Sequence, residues 1–261
     1  MIQIAIEAAL KAGKILKDHL GQIEEINHKG EIDLVTNVDR LSERSIVETI
    51  KARYPHHQIL AEEGENNSET TSEYKWLIDP LDGTTNYIHG LPYFCVSIAL
   101  EKEGELILGV VYDPVHEELF TAEKGQGAFL NQKRITVSKV EKLEKSLLVT
   151  GFPPSIWQDQ GKSFEHFKNF TVRCQGVRRL GSAAIDLCYV AAGRLEAFWE
   201  RGLKPWDMGA GAVLVREAGG CVTDFQGRDF DVYQTEILAS NGKIHRAMQE
   251  VLQLAEEREF R

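Results

Sequence analysis

The stretch Trp76-Leu77-Ile78-Asp79-Pro80-Leu81-Asp82-Gly83-Thr84-Thr85-Asn86 decides how this chain is read. An apolar strand runs into two carboxylates three positions apart, and a glycine and two threonines follow at once. Carboxylate oxygens suit a hard cation such as Mg²⁺, which usually binds through a few carboxylates plus the phosphate oxygens of a substrate. Backbone N–H groups near Gly83 and Thr84 can meet that phosphate if a helix begins there. Pro80 sets a bend, so that Asp79 and Asp82 can turn toward one point with the Leu81 carbonyl between them. Two carboxylates so placed can bridge metals about 3.5–4 Å apart. The competing reading is a plain Asp-Pro-x-Asp-Gly turn, in which the acids and the glycine serve only the backbone.

Outward from this stretch, three more acids end apolar segments: Asp39 after Leu34-Val35-Thr36, Glu62 after Ile59-Leu60-Ala61, and Asp207 after Pro205-Trp206. Strand ends bordering loops are where α/β folds place ligands. The Thr84 hydroxyl can orient an attacking water or cap the helix that follows. Asp207 precedes Met208-Gly209-Ala210-Gly211-Ala212, whose glycines weaken a helix and point to close packing. Glu200 leaves the apolar segment 195–199 and reads either as an acceptor for polyol hydroxyls or as a solvated surface acid. Arg178-Arg179 reads as an exposed strand end, with attraction of a phosphate as the alternative. The histidines show no ligand spacing, and His56, His57, His89 and His116 read as surface residues.

The chain has 261 residues, 43% of them hydrophobic, enough for a sizeable core. A net charge of −10 argues against direct binding of nucleic acid. Cys95, Cys174, Cys188 and Cys221 are scattered and read as reduced thiols. Neither a signal peptide nor a membrane span is expected, so a cytoplasmic location is the default.

Apolar positions at helical spacing predict a helix over 2–20 and another from about 39 to Tyr54, stopped by Pro55. A short strand is expected over 58–61. Period-two alternation then predicts antiparallel strands at 94–102, 105–112, 118–122 and 127–130. The second half alternates, with strands at 147–149, 177–180, 195–199, 222–223 and 237–239 and helices at 160–169, 182–192, 208–218 and 243–257. The expected organisation is an α+β half over 1–140 and an α/β half over 141–261. No linker separates them, so one compact unit with a cleft between the halves is expected.

Together these residues resemble the inositol monophosphatase family, within the Mg²⁺-dependent, lithium-sensitive sugar phosphatases. Ala61-Glu62-Glu63-Gly64 is similar to the family's acid pair after a strand. Asp79 to Asn86 is similar to its Asp-Pro-hydrophobic-Asp-Gly-Thr-Thr-Asn signature, and Trp206 to Gly211 to its Trp-Asp signature. A weaker similarity covers Asp33 to Asp39. The resemblance implies a layered αβαβα sandwich, a homodimer, and hydrolysis of myo-inositol monophosphate with two or three Mg²⁺ per site. It implies metal ligation by Glu62, Asp79, the Leu81 carbonyl, Asp82 and Asp207. Water activation would fall to Glu62, Thr84 and Asp39, and phosphate contact to Gly83 and Thr84. Contacts to the substrate would come from Asp82, Gly181, Ser182, Ala183, Glu200 and Asp207, with Lys29 near the phosphate. Arg201, beside Glu200, points to a second phosphate or an anionic leaving group. Fructose-1,6-bisphosphatase activity is therefore the alternative, alone or as part of a dual specificity. Some bacterial relatives bind the transcription machinery, which implies a possible second partner.

Overall fold

A computed structural model describes residues 1–22, 26–28, 34–64, 72–153, 156 and 161–256, without the side chains of 26–28, 34–35 and 255–256. Lys29 lies outside the described residues. The outermost layer is a helix pair, α1 (Ile2–His19) and α2 (Asn37–Arg53). A two-stranded antiparallel ribbon, β1 (Ile26–His28) and β2 (Leu34–Thr36), lies between them in the chain. The buried stripe of α1 is Ala5, Ala8, Ala9, Ala12, Gly13 and Leu16, small residues at helical spacing that let α2 pack closely. Thr36 caps α2 through the backbone N–H groups of Val38 and Asp39, and Asp39 returns a bond to the Thr36 N–H, a reciprocal capping box.

Beneath the pair lies a sheet made of β3 (Gln58–Ala61), β4 (Tyr74–Asp82), β5 (Cys95–Lys102), β6 (Glu105–Asp113), β7 (Glu118–Glu123), β8 (Gly127–Leu130) and β9 (Lys133–Ile135), in that spatial order. β3 and β4 are parallel and the remaining pairs antiparallel. Both faces are covered. Along β4, Trp76 and Ile78 join the core under α1 and α2, whereas Leu77 faces the opposite core.

That opposite core surrounds two central helices, α5 (Ala183–Ala191) and α6 (Pro205–Glu217). Residues Met208 through Val215 of α6 are all buried, as a helix sandwiched between two sheets requires. A Cβ on Gly211 would come within 2.4 Å of Leu187, and one on Gly209 within 3.0 Å of Ala99, so both glycines permit the close packing expected of them. The second sheet has the order β11 (Gly176–Arg178), β10 (Leu147–Thr150), β12 (Ala197–Arg201), β14 (Glu236–Ser240), β13 (Cys221–Thr223). On its far side α4 (Lys162–Thr171) and α7 (His245–Glu256) complete an αβαβα sandwich.

Several elements differ from the sequence expectation. α6 begins at Pro205, because proline at the first helical position is pre-set for helix. Asp207 is thus inside the first turn instead of ahead of it. Asp39 and Glu200 are likewise inside α2 and β12. β9 was not expected, being a short polar return strand. His57 is not a plain surface residue: its ring stacks between Tyr54 and Tyr74, and Trp76 Nε1 donates to it at 3.1 Å. The four cysteines are free, and among the described residues no helix is long and apolar enough to cross a membrane.

Candidate active site

The signature stretch is not a simple turn. β4 continues through Asp79-Pro80-Leu81-Asp82, and its pairing with β5 slips there: Asp79 stands opposite Ser97 and Asp82 opposite Cys95. Pro80 and Leu81 together face the single residue Val96, which is a β-bulge. In a regular strand, residues three apart point to opposite faces; the extra residue restores Asp79 and Asp82 to one face. The polar groups freed by the bulge are all used. Pro80 has no N–H, its carbonyl accepts from Ser42 Oγ at 2.8 Å, and the Leu81 N–H donates to Asp79 Oδ1 at 3.0 Å. The Leu81 carbonyl accepts from Thr84 Oγ1 at 3.0 Å, using one of its two lone pairs.

Gly83 follows with φ +94°, the left-handed region, and a Cβ there would meet the Tyr93 carbonyl oxygen at 2.7 Å. It is the N-cap of a five-residue helix, α3 (Thr84–Ile88), so Thr84 is its first residue and not its cap. Thr84 Oγ1 also reaches Asp39 Oδ1 at 3.3 Å. Asp39 is buried and its other oxygen is occupied by Thr36, so it bonds to the site through Thr84, with Glu62 near enough to repel it.

A pocket of about 410 Å³ opens here, between the end of β4, the start of α5, β12 and the first turn of α6. Glu62, Asp79, Leu81, Asp82, Gly83, Thr84, Gly181, Ser182, Ala183, Glu200 and Asp207 all line this one cavity, whereas Asp39 and Arg201 do not line it and Lys29 lies outside the described residues. Glu62 lies one step past β3, its N–H bonded to the Ile78 carbonyl at 3.2 Å. Asp82 Oδ2 accepts from Ser182 Oγ at 2.7 Å and from the Ala184 N–H at 2.6 Å. Ser182 therefore serves Asp82 and the cap of α5. Asp207 Oδ2 accepts from the Lys204 N–H at 2.7 Å.

Burial, then repulsion from Glu62, Asp82 and Asp207, raises the Asp79 carboxyl well above the usual range. Burial and then Asp82 do the same to Asp207, against the Lys204 N–H. Asp82 is raised to about 6 by burial, although Ala184 and Ser182 pull the other way. Glu200 is raised by burial and by Asp207 and Asp82, opposed by Arg179. Among the described residues, no three acidic, histidine or cysteine side chains already close on one point as a coordination cage. What the pocket gathers is crowded acid: hard oxygen donors whose mutual repulsion a divalent cation would relieve. That donor chemistry fits Mg²⁺ rather than a softer metal.

Three residues depart from the sequence reading. Arg201 does not face the pocket: it pairs with Glu236 at 3.5 Å and lies over the Phe225 ring. Neighbours in a strand point to opposite faces, so Glu200 and Arg201 cannot share one site. Arg179 lines the pocket instead. Asp186 was missed altogether; it also lines the pocket, one helical turn after Ser182. The i, i+4 spacing from Ser182 is the signal that places it on the same helix face.

A layered αβαβα fold with carboxylates around a strand bulge, a glycine-threonine turn and a helix start defines a phosphatase of the sugar-phosphate type. The chain belongs to the inositol monophosphatase family, whose model matches residues 1–259. Members of that family are, as a rule, metal-dependent. The chain is 41% identical over 255 residues to the inositol-1-monophosphatase of Rhizobium meliloti, covering 97% of this chain and 96% of that one. It is 44% identical over 259 residues to the Nus factor SuhB of Pseudomonas aeruginosa, covering 97% and 96%. The solved structure of extragenic suppressor protein suhB from Bartonella henselae superposes with a TM-score of 0.92 at 41% identity, over 96% of this chain and 97% of that one.

Proposed function

We propose that this pocket hydrolyses myo-inositol monophosphate to myo-inositol and phosphate, using Mg²⁺. The observation that carries the reading is the bulge at Pro80-Leu81, which turns Asp79 and Asp82 to one face of a pocket that Glu62 and Asp207 also line. Glu62, Asp79, the Leu81 carbonyl, Asp82 and Asp207 would hold two or three ions. Bound there, Mg²⁺ neutralises phosphate charge, acidifies water and stabilises the departing alkoxide. The Thr84 hydroxyl donates its hydrogen bond to the Leu81 carbonyl or Asp39, which leaves its own lone pairs to accept a hydrogen bond from water and aim that water at phosphorus. Glu62 is the acid placed to take the one proton the water loses as it attacks, and the departing alkoxide takes up one proton to leave as the alcohol. The Gly83 and Thr84 N–H groups face the phosphate, and Gly181, Ala183 and Glu200 receive the ring. No side-chain nucleophile is needed, so no phosphoenzyme forms.

Phosphate release from inositol 1-phosphate and fructose 1,6-bisphosphate, with and without Mg²⁺, tests this. Mg²⁺-dependent release with kcat/KM at least about tenfold higher for inositol 1-phosphate is expected; the reverse order would assign the site to the bisphosphate. The withdrawal of Arg201 from the pocket supports the first order. A homodimer in the cytoplasm is the proposed working form, and sedimentation tests the assembly. The similarity to a chain named as a Nus factor supports a second reading, a partner in the transcription machinery. An Asp79→Asn chain that lost hydrolysis but kept that binding would establish it.

A further inference from the structure

Asp186 is 1% exposed, and neither of its carboxyl oxygens has a hydrogen-bond partner among the described residues. Orphaned buried carboxyls are rare in folded chains because each has left water without compensation. Packing does not call for an acid here: the α5 residues around it, Ala184, Ile185 and Leu187, are buried and apolar. Asp186 is one of the residues lining the pocket, and its carboxyl is near enough to Glu200 to be repelled by it and to Arg179 to be attracted. Glu200 is itself 7% exposed, its carboxylate fitted where a Cβ on Gly151 would stand 2.0 Å away. Acceptor capacity is thus concentrated on the side of the pocket assigned above to the leaving alcohol. A carboxyl shielded from bulk water is where an incoming hydroxyl gains most, since no solvent competes for the acceptor.

We infer that Asp186 is a leaving-group-binding residue: beside Glu200, it accepts a hydrogen bond from a hydroxyl of the departing alcohol and so sets a preference for polyhydroxylated substrates. The inference rests on the phosphomonoesterase reading above. Its selectivity follows from the penalty on any ligand that leaves a buried acceptor unpaired.

The test uses the full chain with saturating Mg²⁺. It compares kcat/KM for inositol 1-phosphate and glycerol 2-phosphate, whose leaving groups carry hydroxyls, with p-nitrophenyl phosphate, whose leaving group carries none. Wild-type rates test the functional reading. The variant-to-wild-type ratio between substrates tests Asp186 alone, and glycerol 2-phosphate keeps that arm informative if inositol 1-phosphate is not hydrolysed. Asp186→Leu should lower kcat/KM on the hydroxyl-bearing substrates by about 10- to 100-fold, and at least tenfold more than on p-nitrophenyl phosphate. Asp186→Asn, which keeps one carbonyl acceptor, should recover part of that loss. Neither variant should lower the Mg²⁺-free unfolding midpoint, since an unpartnered carboxyl is a stability cost. Equal losses on all substrates, no loss on any, or a lowered midpoint in both variants would each overturn the inference.

Discussion

Ser182 Oγ donates to Asp82 Oδ2 at 2.7 Å, joining the end of β4 to the cap of α5 across 100 positions of sequence. The bond spans the cleft and aims one of the proposed metal ligands. With the Ala184 N–H on the same oxygen, it leaves Asp82 Oδ1 for a cation. Ser182→Ala removes one of these donors and the side-chain cap of α5, a loss of about 1 kcal/mol in stability. It should weaken Mg²⁺ activation about tenfold, the usual scale for a group that orients a ligand. Activity titrated against Mg²⁺ measures this; an unchanged midpoint would mean that Ala184 alone suffices.

Asp79 is 2% exposed and repelled by Glu62, Asp82 and Asp207. Asp79→Asn should reduce kcat/KM on the order of 1000-fold, the several kcal/mol that metal-assisted charge stabilisation supplies. The same change should stabilise the metal-free chain by about 1–2 kcal/mol, because it removes a crowded buried charge. Mg²⁺ should stabilise the wild type by about 2.7 kcal/mol at a hundred times its Kd, and the variant by less. Urea unfolding with EDTA and with Mg²⁺ checks both signs. A variant less stable than wild type in EDTA contradicts the crowding argument.

Gly83 combines φ +94° with a Cβ position 2.7 Å from the Tyr93 carbonyl oxygen. Gly83→Ala must strain the backbone and push the 93–94 segment, at a cost of about 2–3 kcal/mol. Both stability and phosphate release should fall. If calorimetry finds the midpoint unmoved, the turn has another conformation open to it.

His245 opens α7, buried between Ser240 Oγ on Nδ1 at 2.8 Å and Thr223 Oγ1 on Nε2 at 2.9 Å. Burial pushes its pKa down to about 4, from 6.5 in the unfolded chain. Between those values the unfolded chain binds more proton, so stability is full above pH 6.5 and erodes as the pH falls toward 4. The loss attributable to this ring is about 2 kcal/mol after allowance for its partial exposure to water. The buried active-site acids slope the other way, since their raised values favour the folded chain at low pH. The difference between His245→Asn and wild type, followed by urea midpoints from pH 4.5 to 7.5, therefore isolates the ring. Parallel pH profiles would show that the imidazole does not titrate as argued.

Much of this architecture is legible in one dimension because it obeys local periods. The helical spacing of Ala9, Gly13 and Leu16 and the unbroken apolar run Trp76-Leu77-Ile78, a strand buried on both faces, follow from where each side chain must go. The acids of the pocket are legible because Asp79, Asp82 and Asp207 stand in short patterns of unusual residue types. Strand alternation alone, applied to Glu200 and Arg201, would have turned Arg201 away from the pocket. The i, i+4 step from Ser182 would likewise have turned Asp186 toward it.

What the sequence determined by itself is the order of most elements, the antiparallel first half, the alternating second half and the set of hard oxygen donors, since periodicity and residue chemistry act over a few neighbours. What only the tertiary structure decided is which donors meet. The slip at Pro80-Leu81 depends on pairing with Val96 across β5, and the aim of Asp82 depends on Ser182 from the other half of the chain. The isolation of Asp186 depends on packing around a buried helix. Each is set by contacts between segments distant in sequence, which no local pattern encodes.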